Sequence, residues 1–161
     1  MKKIFRLFLF APILLIGCMN EKPYNGQKIA LDYVEEGTLV NSSVSEMKTI
    51  AFDNKVDSIF YIGSDECTSC VTLKKDIAGW CVTNHANVYN IDYSSVTAED
   101  LALLKEITAE DTSYNWTDES SIPAVYFMME GYIIFRGGTT NTIKYLNRYV
   151  EVKNTTSSAN Q

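Results

Sequence analysis

Two thiols stand where this chain can do chemistry: Cys67-Thr68-Ser69-Cys70, directly after the apolar run Ile59-Phe60-Tyr61-Ile62. The run reads as a buried strand and Val71 to Trp80 as the continuation of a helix begun at the cysteines, so the pair sits at a strand-to-helix junction. There the first sulfur meets backbone N–H groups that no helical carbonyl accepts, together with the positive end of the helix dipole. Both favour a thiolate. In a helical turn the second sulfur lies within bridging reach of the first, which supplies an attacking thiol and a resolving thiol. The spacing points to thiol–disulfide exchange.

Two other uses of the same spacing stand beside it. In an exported protein such a pair also forms a static disulfide, and in any protein it is half of a zinc site. Zinc needs four ligands; the remaining candidates are Cys81 and the lone His85, with no second CxxC and no HxxxH, so no metal is expected. A disulfide closing so short a loop removes little unfolded-state entropy, which makes stapling alone a weak reason for it. Cys81 follows Cys70 by eleven positions, about 20° around an ideal helix but roughly 16 Å along it, too far for a disulfide. It reads as a buried structural thiol. His85 and Trp80 read as a surface imidazole and a core aromatic.

The N-terminus supplies the compartment. Lys2, Lys3 and Arg6 precede an apolar stretch from Leu7 to Ile16, which ends in Leu15-Ile16-Gly17-Cys18. That stretch is short of the ~20 apolar residues a membrane span needs, so it reads as an export signal. The whole chain carries a formal charge of −6, with 14 Lys+Arg against 20 Asp+Glu. Removing residues 1–17 takes away basic residues only, leaving a more acidic chain that repels nucleic acid and gains nothing from anionic headgroups.

The rest of the chain is enough for one domain with a real core. Residues 19–30 carry charge, Pro23, Asn25 and Gly26 without a period and read as a tether; the tail from Asn154 is small and polar. Between them Gly37 to Val40 reads as a short strand, and Ser43-x-x-Glu46 as a capping box opening a helix with Met47, Ile50 and Ala51 on one face. Ser58 to Ile62 and Val88 to Ile91 are buried-type strands, and Thr97-x-x-Asp100 caps a helix carrying Leu101, Leu104 and Ile107. Ala124 to Met128 and Tyr132 to Phe135, joined through Gly131, read as a hairpin, and Thr140 to Val150 as a closing helix.

With the CxxC at the strand-to-helix junction, Ile122-Pro123 before a strand and Gly137-Gly138 before the last helix, this order resembles the thioredoxin fold, an α/β three-layer sandwich with a mixed central sheet flanked by helices. The stretch Tyr61-Ile62-Gly63 leading into the CxxC is similar to small exported thioredoxin-like proteins of Gram-positive bacteria, including bacteriocin accessory proteins. Likewise Leu15 to Cys18 resembles the lipobox of bacterial lipoproteins. That likeness implies cleavage before Cys18, acylation of Cys18 and a chain held on the extracytoplasmic face of the cell membrane. The expected division is a signal peptide at 1–17, a lipid-anchored tether at 18–36, a thioredoxin-like domain at 37–153 and a disordered tail at 154–161.

The resemblance implies a thiol–disulfide oxidoreductase acting on protein cysteines through Cys67 and Cys70, with an unidentified electron donor or acceptor and no dissociable cofactor. The alternative is a binding or accessory lipoprotein that keeps the fold with an inert disulfide. The family's proline is cis and lies against the disulfide, so Ile122 and Pro123 are expected to meet substrate, and the loop carrying Trp116 to border the site and shape a substrate groove. Two departures matter. Tyr61 occupies the strand position where many thioredoxins carry a buried acid, and Asp65-Glu66 replaces the aromatic residue that usually precedes the CxxC. Two carboxylates there oppose the helix dipole and disfavour a thiolate at Cys67, while Lys74 and Lys75 read as a solvated helix face.

Overall fold

The computed structural model describes residues 26–111, Trp116 and residues 121–153. Its centre is set by two continuous apolar runs that become strands with every residue buried: β3, Ser58–Gly63, and β5, Ala124–Met129. Strands buried on both faces need cover on both sides, and such runs lack the alternation of a half-exposed strand. They pair antiparallel, with Ile62 opposite Ala124 and Phe60 opposite Tyr126.

Around them the sheet is completed by β2, Leu39–Asn41, β4, Val88–Asp92, and β6, Tyr132–Gly137, in the order β2-β4-β3-β5-β6. β2, β4 and β3 run parallel, and β5 and β6 antiparallel. Four helices flank it: α1, Val44–Met47, α2, Thr68–Asn84, α3, Ala98–Ile107, and α4, Thr142–Tyr149. α1 packs with α3 and α2 with α4, one pair on each face. A three-layer sandwich with this strand order and this mixture of directions is the thioredoxin fold.

Local chemistry places the elements where the sequence puts them. Ser43 and Glu46 form both bonds of a capping box on α1, and Thr97 and Asp100 do the same on α3. The same bonds hold both carboxyls below their ordinary range: the Ser43 backbone N–H first at Glu46, and the Thr97 hydroxyl first at Asp100. Glu130 and Gly131 turn the β5–β6 hairpin with φ of 52° and 90°. Both lie in the left-handed region that a two-residue turn between twisted strands requires. α1 widens into a π-turn over Lys48–Asp53 rather than continuing as one regular helix.

Two short elements were not legible in the sequence. β1, Ile29–Asp32, lies within the stretch read as tether, and β7, Val150–Lys153, takes over where the closing helix ends at Tyr149. They pair parallel, Ile29 with Val150 and Leu31 with Val152, as a separate two-stranded sheet. Asp57 ties β1 to the hairpin tip, its carboxylate accepting from the Ala30 N–H at 3.0 Å and the Glu130 N–H at 3.2 Å. Gly37 precedes β2 instead of opening it: a Cβ there would strike the Cys81 carbonyl and lie 2.7 Å from the Ala86 N and O atoms, so only a glycine lets this backbone approach the end of α2. No helix among the described residues is long and apolar enough to cross a membrane.

Candidate active site at the head of α2

β3 ends at Gly63, and the turn Ser64-Asp65-Glu66 delivers Cys67 as the N-cap of α2, with φ −94° and ψ 111°. The Cys67 N–H donates to the Ser64 carbonyl at 3.2 Å, and Cys67 Sγ accepts from the Cys70 N–H at 3.2 Å. The Ser69 hydroxyl lies 3.2 Å from the same sulfur. The first sulfur therefore receives one helix-terminal N–H, an arrangement that stabilises negative charge on it. Cys67 and Cys70 are joined as a disulfide with a Cα–Cα distance of 5.1 Å and χ3 of 78°. Their exposure differs: Cys67 is half-buried, while Cys70 is fully buried.

The turn is held from the side. Ser64 Oγ lies 2.9 Å from Ser94 Oγ and accepts from the Glu66 N–H at 3.1 Å. Ser94 belongs to the 3₁₀ turn Tyr93–Ser95 after β4, and its own N–H is fixed by Asp92 at 3.0 Å. Neither serine was singled out by the sequence, because no local spacing joins positions 64 and 94.

Two expectations about charge and aromatics are corrected. Lys74 is not a purely solvated residue: its ammonium bonds the Asp65 carboxylate at 2.8 Å, so one of the two carboxylates before Cys67 already faces a cation. An exposed pair of this kind contributes little to stability. Trp116 is 1% exposed and offers no surface to a substrate. Its indole N–H donates to Thr108 Oγ1 at 3.0 Å, that hydroxyl donates to the Leu104 carbonyl at 2.7 Å, and its ring stacks on Tyr93. A buried indole needs an acceptor for its N–H, and α3 supplies one.

The Ile122–Pro123 bond is cis. Ala124 pairs with Ile62 at the end of β3, so Pro123 stands at the end of the central strands from which the CxxC turn departs. Ile122 is buried and Pro123 half-exposed. Tyr61 is buried, and its hydroxyl donates to the Cys70 carbonyl at 2.9 Å. Burial, and then the carboxylates of Asp65 and Asp92, push its pKa well above the ordinary tyrosine value. Tyr61, the residue at this strand position, is therefore a buried hydrogen-bond donor to the first turn of α2.

Cys81 is fully buried and free, and burial pushes its thiol up to about 11. His85 closes α2 in the left-handed conformation, φ 54°, with Nδ1 3.0 Å from the Glu35 carbonyl and its ring stacked on Tyr33. Among the described residues no group of three or more His, Cys, Asp or Glu side chains is placed to hold a metal ion. Cys18 lies outside the described residues.

No family model matches the chain, and no curated protein matches it in sequence. Thioredoxin O1 of Arabidopsis thaliana is similar in structure at 14% identity and a TM-score of 0.48, over 72% of this chain and 100% of its own. Thioredoxin NaTrxh of Nicotiana alata is similar at 12% identity and 0.47, over 74% of this chain and 99% of its own. A mutant thioredoxin of Halobacterium salinarum is similar at 14% identity and 0.46, over 75% and 96% of the two chains. The fold itself is established by the strand order and register given above.

Proposed function

We propose that this chain is a membrane-anchored, extracytoplasmic thiol–disulfide oxidoreductase acting on protein cysteines. The observation that carries the reading is the asymmetry of the pair at the head of a 17-residue helix: Cys67 half-buried with the Cys70 N–H on its sulfur, Cys70 wholly buried behind it. In the reducing direction the Cys67 thiolate attacks a substrate disulfide, forming a mixed disulfide and expelling one substrate thiolate. Cys70 then attacks Cys67 Sγ, expelling the second substrate sulfur, which takes up the Cys70 proton as it leaves. The substrate gains two electrons and two protons while the protein becomes the Cys67–Cys70 disulfide, and a dithiol donor must return it to the reduced state. Run backwards, the same steps oxidise a substrate dithiol. No dissociable cofactor takes part. The substrate is a chain segment, whose extended backbone pairs with the main chain beside Pro123.

With dithiothreitol as the donor, the protein is expected to accelerate reduction of insulin, and Cys67→Ser to abolish the acceleration. A wild-type rate equal to that of dithiothreitol alone rejects the enzyme and leaves the inert-disulfide accessory protein.

Anchoring through Cys18 is the second part of the proposal. It is supported by the short apolar segment ending in Leu15-Ile16-Gly17-Cys18. Two acyl signals give stable attachment where one chain alone is marginal. Cys18→Ala is expected to remain unprocessed or to leave the membrane fraction while its thiol exchange persists. Fully membrane-bound, processed Cys18→Ala protein refutes the anchor.

A further inference from the structure

Tyr61 and Gly63 alternate along β3 and so point to the same face of the sheet. A Cβ on Gly63 would collide with the Tyr61 hydroxyl. The missing side chain is therefore the space through which the phenol passes, and the hydroxyl emerges against the first turn of α2, on the Cys70 carbonyl. Both cysteines are in this way referred to the end of one strand. Cys67 is tied to it through the turn, by its N–H on the Ser64 carbonyl, and Cys70 through the tyrosine.

We propose that Tyr61 is the positioning residue of the resolving cysteine: its O–H···O=C bond to Cys70 holds the second thiol at the separation from Cys67 at which the disulfide closes, in the reduced protein as in the oxidised one. A bond buried away from water is electrostatically stronger than an exposed one, and breaking it would leave a buried hydroxyl unsatisfied. It thus restrains Cys70 when the covalent bond is open. Preorganisation of this kind raises the effective concentration of one thiol toward the other without adding any group to the chemistry. Burial raises the phenol pKa, which favours the protonated, donating form of the hydroxyl.

The inference rests on the exchange function proposed above and is tested by equilibrating the protein with glutathione. Tyr61→Phe keeps the ring and removes the donor. It is expected to lower the equilibrium constant for closing the Cys67–Cys70 disulfide by several-fold, at most about tenfold, which for a two-electron couple is a potential less negative by up to about 30 mV. The rate at which Cys70 displaces glutathione from Cys67 is expected to fall with it. Gly63→Ala, which displaces the ring instead of trimming it, is expected to shift the constant in the same direction. If Tyr61→Phe lowers the urea midpoint but leaves constant and closing rate unchanged, the tyrosine is a core residue only and the proposal fails alone. If glutathione and dithiothreitol never reduce the wild-type pair, the exchange function fails and takes this inference with it.

Discussion

Cys70→Ser is expected to hold a disulfide-bearing substrate as a covalent adduct on Cys67, and Cys67→Ser to hold none. The expectation follows from access before it follows from acidity. Cys70 is fully buried, its carbonyl held by Tyr61 and its side chain among the core residues, so a substrate sulfur cannot reach it. Cys67 is half-buried at the N-cap, with the Cys70 N–H and the Ser69 hydroxyl on its sulfur. Attack in line with a substrate S–S bond is open only there. With serine at 70, the mixed disulfide forms and nothing within reach resolves it; with serine at 67, no first bond forms. Non-reducing electrophoresis and mass spectrometry after mixing with oxidised insulin read the result as adduct present or absent. Comparable adducts on both variants, or an adduct at position 70, would reverse the assignment of the two sulfurs.

The second large effect separates Cys81 from the redox pair. In the reduced native protein iodoacetamide at pH 8 is expected to modify Cys67 readily and to leave Cys81 untouched until urea unfolds the chain. The difference should be orders of magnitude, because both accessibility and thiolate population oppose reaction at Cys81. It is 0% exposed, and with a pKa of about 11 it is almost wholly protonated at pH 8. The same burial makes stability fall in alkali. The unfolded thiol gives up its proton near pH 9, so below that its contribution is fully present. Between about pH 9 and 11 the native chain holds a proton the unfolded chain has lost, and stability drops by up to about 1.4 kcal/mol per pH unit. Urea midpoints at pH 8 and 10.5 should therefore differ more in wild type than in Cys81→Ala. Equal labelling of Cys67 and Cys81 in the native state, or parallel pH dependence of the two proteins, would show Cys81 to be open to solvent.

What could be read directly from the chain was local or strongly repeated. The two capping boxes are signatures four residues long, satisfied by bonds within a single turn. The runs Ile59 to Ile62 and Ala124 to Met128 are continuous because both faces of their strands are covered, and the Cys67–Cys70 spacing matches one helical turn. The failures share a cause. β1 and β7 are four residues each and find each other across most of the chain, so neither carries enough alternation to stand out from a tether or from the end of a helix. Trp116 reads as a groove residue from its place ahead of Pro123, whereas its indole N–H is accepted by Thr108 at the end of α3. Lys74 reads as part of a solvated helix face, while its partner Asp65 lies ahead of the helix.

By itself the sequence determined where the CxxC pair stands and the order of elements that carries it, since strand, turn, N-cap and helix follow one another without interruption from Ser58 to Asn84. Only the tertiary structure decided which sulfur is open and what fixes the other. Burial of Cys70, the Ser64–Ser94 clasp and the Tyr61 bond through the gap at Gly63 all depend on side chains that meet across β3, β4 and α2. The physical reason is range. A cap or a turn is closed by atoms a few residues apart and leaves its mark on adjacent letters, whereas a hydroxyl that reaches a carbonyl on another element depends on the spacing of layers, which is set by the whole core.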